Sequence, residues 1–128
     1  IDIVMSSPVS DKVYTLIDVL NNANFMLSSR NTVTQASGGA AVTINGSSGV
    51  ITTFSLTTAA GATESMTVNN SLVTTSSIVI VQICDYPGSG IPYVYSTSVG
   101  TGSFIVVIRN IAILTALDTA LKVAFIVC

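Results

Sequence analysis

The fold class is decided by residues 102–128, GSFIVVIRNIAILTALDTALKVAFIVC. This stretch is almost entirely apolar but carries Arg109, Asp118 and Lys122. A membrane-spanning helix needs about 20 mostly apolar residues, and a charge near its centre costs roughly 2.5–3.5 kcal/mol. The uninterrupted apolar runs, 104–108 and 123–128, are much shorter and rich in Ile, Val and Phe. Runs of this kind predict buried strands, so we expect no membrane span.

The overall composition indicates a folded domain with an unusually uncharged surface. The chain has 128 residues, which suits one domain, and is 49% hydrophobic but only 8% charged. An average domain is about 25% charged, whereas disordered segments are poor in apolar residues. The low charge therefore favours a surface of Ser, Thr and Asn that is partly buried against other subunits.

From residue 41 onward the pattern is that of an all-β domain. Short apolar or alternating segments recur roughly every ten residues and are separated by Gly, Asn, Ser and Pro. This spacing predicts seven or eight strands in a sandwich or barrel. Within the fourth predicted strand, residues 78–81 (IVIV) are expected to be buried on both faces. The predicted strands are 41–44, 50–57, 63–69, 76–84, 93–99, 104–108 and 121–127.

The N-terminal segment, residues 1–34, differs from the rest. Ser10 and Asp11 form a helix-capping sequence, and the apolar residues that follow recur at helical spacing, which favours a short helix over 11–22. The alternatives are a strand over 12–19 or an arm that orders on a neighbouring subunit. We therefore divide the chain into an N-terminal segment or arm, 1–34, and a β-sandwich domain, 35–128.

The two cysteines, Cys84 and Cys128, are too few for a disulfide framework. Each lies beside strand-like apolar residues. We expect both to be reduced and Cys84 to be a small core residue. A bridge between them is the alternative that the sequence leaves open.

The residue types present do not form a catalytic constellation. The chain has no histidine, so it lacks the commonest general base and the commonest zinc ligand. A pair of carboxylates among Glu64, Asp85 and Asp118 acting on a glycan is the enzymatic alternative, but no local cluster supports it. We predict no enzyme activity, no catalytic residue, no metal and no cofactor. With four Lys and Arg against six Asp and Glu, we also predict no nucleic-acid binding.

Three tyrosines are the candidate binding residues. Tyr86, Tyr93 and Tyr95 flank the loop 85–92, DYPGSGIP. Tyrosines placed in this way can stack on a sugar or anchor a partner; the alternative is that they fill the sandwich edge or a subunit contact. Because side chains alternate along a strand, Tyr93 and Tyr95 are predicted to share one face and to act together.

Two stretches, 42–86 and 100–128, carry a resemblance to a known family. They contain a turn of the NxxxGxITT kind at 45–53, an AAG turn at 59–61, a TVxNS strand end at 67–71, GSFxVxIxN at 102–110 and LKVxFIV at 121–127. This succession resembles the small β domain of particle proteins of large DNA viruses and of phage fibre ends. That domain is similar to the tumour-necrosis-factor (TNF) type of jelly roll.

The resemblance implies a TNF-like jelly roll of about eight antiparallel strands that assembles as a homotrimer. It further implies a non-enzymatic structural protein located in the virion, with itself and other virion proteins as partners. The alternative is a fibre-tip module that binds a receptor or a glycan. Residues 104–108 and 121–127 are expected to be adjacent strands, and alternation places Leu121, Val123, Phe125 and Val127 on one face.

Overall fold

The computed structural model describes residues 31–128, which form eight strands and no helix. The helix predicted for 11–22 lies outside the described residues. Turn residues, including glycines with positive φ at Gly46, Gly61 and Gly102, separate the strands. The strands are β1 Asn31–Thr34, β2 Val42–Thr43, β3 Ser48–Thr52, β4 Thr63–Asn69, β5 Val79–Asp85, β6 Pro92–Gly100, β7 Ser103–Asn110 and β8 Lys122–Val127.

The strands form two four-stranded sheets packed as a sandwich. Sheet 1 has the order β1-β3-β8-β5 and sheet 2 the order β2-β4-β7-β6. The predicted all-β sandwich is confirmed, but the expectation of uniformly antiparallel strands is wrong. The β1–β3 and β2–β4 pairs are parallel. From β1 to β4 the chain alternates between the sheets, so each of these pairs is joined by a crossover instead of a hairpin.

The core lies between the sheets and is filled by the inward residues of both. The Phe104 ring on β7 meets the Phe125 ring on β8, with centroids 5.3 Å apart. The expected adjacency of these two strands is therefore wrong: β7 pairs with β4 and β6, whereas β8 pairs with β3 and β5. The expected grouping of Val123 and Phe125 on one face of β8 is correct: both are buried, whereas Ile126 is exposed.

Strand β5 is an edge strand of sheet 1, with one covered face. Val79, Val81 and Ile83 pack against the core, whereas Ile78 and Ile80 are exposed. The expected burial of residues 78–81 on both faces is therefore wrong. A continuous apolar run is typical of a strand covered on both sides, but here only one side faces the opposite sheet.

Both cysteines are free and exposed, so the expected burial of Cys84 is wrong. The ladder between β5 and β8 shifts register between Ile83 and Asp85, and Cys84 occupies the shift. Side chains alternate along β5, and Cys84 follows Ile80 and Gln82 on the exposed side of the strand. The Cys84 thiol donates to the carbonyl of Lys122 at 3.4 Å instead of entering the core.

Asn110, which ends β7, is fully buried and organises three loops. Its Oδ1 accepts hydrogen bonds from the backbone N–H groups of Ile91 and Ala112, both at 3.1 Å. Its Nδ2 donates to the carbonyls of Thr58 at 3.2 Å and Thr115 at 2.7 Å. The two acceptor positions of the oxygen and the two N–H donors of the amide are thus all used by backbone groups, as expected for a buried polar side chain.

Asn70, directly after β4, is the counterpart of Asn110 at another turn. Its Nδ2 donates to the Gly46 carbonyl at 2.7 Å, and its Oδ1 accepts from the Leu72 N–H at 3.0 Å. These two asparagines are the Asn of TVxNS and the final Asn of GSFxVxIxN. In this chain both motifs therefore specify how strands end and loops are held.

Candidate functional site

The outer face of sheet 1 carries an exposed aliphatic block. Ile80 on β5 lies opposite Ile126 on β8. One step along, Ile78 and Cys128 exchange both backbone hydrogen bonds, at 2.8 and 3.3 Å, and are also directly opposite. Directly opposite residues of an antiparallel pair share a face. We call Ile78, Ile80, Ile126 and Cys128 the outer apolar face.

The isoleucine side chains of the outer apolar face are more than half exposed to solvent. Ile78, Ile80 and Ile126 are 65%, 55% and 52% exposed. Half-buried Val50 and Ala124, paired in the β3–β8 ladder, continue the same surface toward the middle of the sheet. Apolar patches of this kind mark surfaces that meet a partner, because single exposed aliphatics are common but contiguous ones are not.

A second, differently shaped apolar feature is the loop between β7 and β8. Ile113 and Leu114 are 90% and 92% exposed. The base of the loop is held by the Asn110 amide, which binds the Thr115 carbonyl, and by the Ile111 N–H, which donates to the Ile91 carbonyl at 2.9 Å. The Ile113–Leu114 tip is therefore an aliphatic projection on an anchored loop.

Tyr86 joins the loop after β5 to the loop before β8. Its ring packs against the core, its hydroxyl donates to the Ser89 carbonyl, and it accepts from the Asp118 N–H at 3.0 Å. The Asp118 carboxylate in turn accepts from the Ser89 N–H at 2.7 Å. Gly88 leaves room for this contact, since an added Cβ would lie 2.3 Å from Asp118 Oδ1 and would displace the carboxylate. Tyr86 thus stabilises two loops of the domain.

The hydrogen bonds at this loop junction lower the pKa of Asp118. The backbone N–H of Ser89 is the largest cause, and the Ser89 and Tyr86 side chains add to it. A carboxylate with a depressed pKa stabilises the fold above its unfolded-state pKa, and this contribution is lost as the pH falls through the folded-state value. Acidification below the ordinary value of 3.8 should therefore loosen the junction.

We expect Asp118→Asn to make the melting temperature less sensitive to acid. An amide oxygen still accepts from the Ser89 N–H but does not titrate, so the loss of melting temperature between about pH 6 and about pH 3 should be smaller than in the wild type. Thermal unfolding followed by circular dichroism measures this difference. Asp85→Asn is the matched control, since the Asp85 carboxylate accepts no hydrogen bond within residues 31–128. An equal acid sensitivity of Asp118→Asn and wild type would contradict the assignment.

Tyr93 and Tyr95 lie together on the outer face of sheet 2. Their ring centroids are 6.2 Å apart and the rings are perpendicular. The β6–β7 ladder shifts register between Val94 and Ser96, so Tyr95 occupies a bulge. The structure thus brings Tyr93 and Tyr95 together and places Tyr86 in a different contact.

Arg109 completes this group and was not predicted as a site residue. It lies directly opposite Tyr93 in the β6–β7 ladder, and its Cζ is 5.6 Å from the centroid of the Tyr95 ring. That distance is within the range of a cation–π interaction. Its Nε is buried and has no hydrogen-bond partner in the described part of the chain. In the sequence Arg109 only interrupts an apolar run, and the strand pairing that brings it to the tyrosines is not readable there.

Two further properties concern residues 31–128 alone. They include no helix with the length and hydropathy that a membrane crossing requires. They also contain no group of three or more Cys, Asp or Glu side chains placed to hold a metal ion.

Comparison with protein families, with curated proteins and with solved structures found no match to the chain.

Proposed function

We propose that this chain is a non-enzymatic structural protein of a virus particle that assembles as a homotrimer with a TNF-like jelly-roll fold. Its place would be in the virion, in contact with its own copies and with other virion proteins. The observation that carries the proposal is the outer apolar face of sheet 1. The motifs that resemble those of viral particle proteins, and the eight strands in two four-stranded sheets, support it further.

A second copy of the chain is the occupant that fits the outer apolar face. The face consists of three isoleucines and Cys128, and the charged pair nearest to it on β5 and β8, Asp85 and Lys122, lies at the far end of those strands. A surface without a matching charge pattern gains little from an ionic partner and most from removing apolar area from water. Burial between copies also accounts for a chain that is only 8% charged.

The presence of two unlike apolar features favours a ring over a twofold dimer. In a twofold dimer one patch meets the same patch of the partner, whereas in a cyclic ring a patch meets a different patch of the next subunit. The outer apolar face is a sheet surface, and the Ile113–Leu114 tip is a projection. We infer that the tip of one copy contacts the face of the next, and the family resemblance sets the number of copies at three.

The test is the native mass, measured by light scattering on a sizing column. We expect a mass near three times the chain mass of 13.2 kDa. Ile80→Lys should reduce it to that of a single chain, because an ammonium group would be buried without a counter-charge. Ile105→Lys, an exposed isoleucine on the outer face of sheet 2, is the matched control and should remain trimeric. A monomeric wild type, or a trimer that survives Ile80→Lys, would contradict the proposal.

A second proposed function, recognition of a receptor or glycan at a fibre tip, is favoured by the grouping of Tyr93, Tyr95 and Arg109. These side chains lie on sheet 2, away from the outer apolar face. The two functions therefore do not compete for one surface.

A further inference from the structure

Arg109 is a cation without a counter-charge among residues 31–128. It lies on the central strand β7, between Thr63 on β4 and Tyr93 on β6. Glu64, the carboxylate that follows Thr63 on β4, pairs with Ile108 and so projects to the other side of the sheet. Within residues 31–128 the guanidinium has no hydrogen-bond or ion-pair partner. The N–H donors of this planar group thus have no acceptor in the described part of the chain.

The two tyrosines give this cation an aromatic wall. The Arg109 guanidinium lies over the Tyr95 ring, and the Tyr93 ring is perpendicular to the Tyr95 ring. Both rings are partly exposed, and their hydroxyls have no hydrogen-bond partner in the described chain. A tyrosine of this kind offers an apolar surface and a polar end at the same time. The grouping suits a ligand that has a ring, hydroxyl groups and one negative charge.

We propose that Tyr93, Tyr95 and Arg109 form a binding site for a sugar that carries a carboxylate. The guanidinium would bind the carboxylate with two parallel N–H···O hydrogen bonds, and the tyrosine rings would pack against the sugar ring. The hydroxyl of Thr63, opposite Arg109 on β4, is available for a sugar hydroxyl. Recognition of this ligand is independent of whether the chain forms trimers.

A carboxylate fits the site better than a phosphate. Among the described residues, Arg109 is the one cationic side chain at this site. The other cationic side chain among residues 31–128, Lys122, lies on the outer face of sheet 1. Phosphate groups carry up to two charges near neutral pH and are commonly bound by clusters of cations or by backbone N–H groups. The net charge of −2 gives the protein no general attraction for anions.

The test is a nuclear magnetic resonance titration of the full chain with glucuronate, N-acetylneuraminate, the uncharged analogue glucuronamide and inorganic phosphate. We expect the backbone amides of Tyr93, Tyr95 and Arg109 to shift with the two acidic sugars. Glucuronamide should bind at least about tenfold more weakly, since the charge-assisted hydrogen bonds are lost. Equal binding of glucuronamide would overturn the role of the carboxylate, and equal binding of phosphate would overturn the role of the sugar ring.

Arg109→Gln should weaken glucuronate binding by about tenfold or more. Lys122→Gln makes the same change in net charge on the other sheet and should bind as the wild type does. Tyr95→Ser, at the bulge, tests the ring without touching the central strand and should also reduce binding. Unchanged affinity in both Arg109→Gln and Tyr95→Ser would overturn the proposal, whatever the native mass of the protein.

Discussion

Asn110→Ala is expected to lower the free energy of unfolding by about 3–4 kcal/mol. The substitution removes four hydrogen bonds to backbone groups of three loops. Each such bond contributes roughly 0.5–1.5 kcal/mol, and a buried group left without a partner costs more. The site is fully buried, so water replaces the amide poorly. Urea unfolding at fixed protein concentration measures the difference, because assembly makes the apparent stability depend on concentration.

Two further variants separate the amide's hydrogen bonds from the mere loss of a side chain. Asn69→Ala, at the exposed end of β4, should change the stability by less than about 0.5 kcal/mol. Asn110→Asp keeps the oxygen that accepts from Ile91 but removes both donations and buries a carboxylate, so it should be at least as harmful as alanine. A loss below about 1 kcal/mol for Asn110→Ala would contradict the role given to this amide.

The sequence pattern predicted the bounds of a strand correctly where alternation and turn residues agreed. The strand predicted at 63–69 has the same bounds as β4, because it alternates and is preceded by Gly61 and followed by Asn70. The strand predicted at 50–57 was displaced. Ser48 and Gly49, which resemble turn residues, pair with Ile126 and Phe125, whereas residues 53–57 leave the ladder. Tertiary pairing outweighs the weak strand propensity of serine and glycine.

The sequence did not show which strands pair with each other. Alternation shows which residues of a strand share a face, and it was correct for Val123 and Phe125 of β8, which are both buried. It does not show whether two inward faces belong to one sheet or to opposite sheets, since both arrangements bury the same residues. The same limit applies to β5, whose apolar run does not reveal that one side lacks a covering layer.

In the candidate sites, too, contacts within one strand were predictable from the sequence and contacts between distant segments were not. Tyr93 and Tyr95 are two residues apart, so their shared face follows from the strand period. Arg109 reaches them only through the β6–β7 register, and Asp118 reaches Tyr86 across 32 positions of chain. Contacts between distant segments depend on register and loop path, which composition and periodicity do not encode. The sequence therefore predicted the tyrosine pair but not the contacts that Arg109 and Asp118 make with tyrosines.

Gly49→Ala is expected to lower the free energy of unfolding by about 2 kcal/mol, as overpacking of a filled core does. Gly49, the glycine of NxxxGxITT, is paired with Phe125 on β8. An added Cβ would lie 2.5 Å from Cδ1 of Ile44 and 2.9 Å from Cε1 of Phe125. The φ of Gly49 is not positive, so the cost arises from lack of space and not from backbone strain.

A double-mutant cycle in urea unfolding tests whether the Phe125 ring sets that cost. Phe125→Leu alone should cost about 1–2 kcal/mol, since it leaves a partly filled space beside Phe104. Combined with Gly49→Ala it should cost at least about 1 kcal/mol less than the sum, because the added methyl group then occupies the vacated volume. Gly100→Ala is the control: its Cβ would meet Ser103 atoms no nearer than 3.8 Å. If the losses of stability from Gly49→Ala and Phe125→Leu were strictly additive, the Phe125 ring would not be the reason why a glycine is needed at position 49.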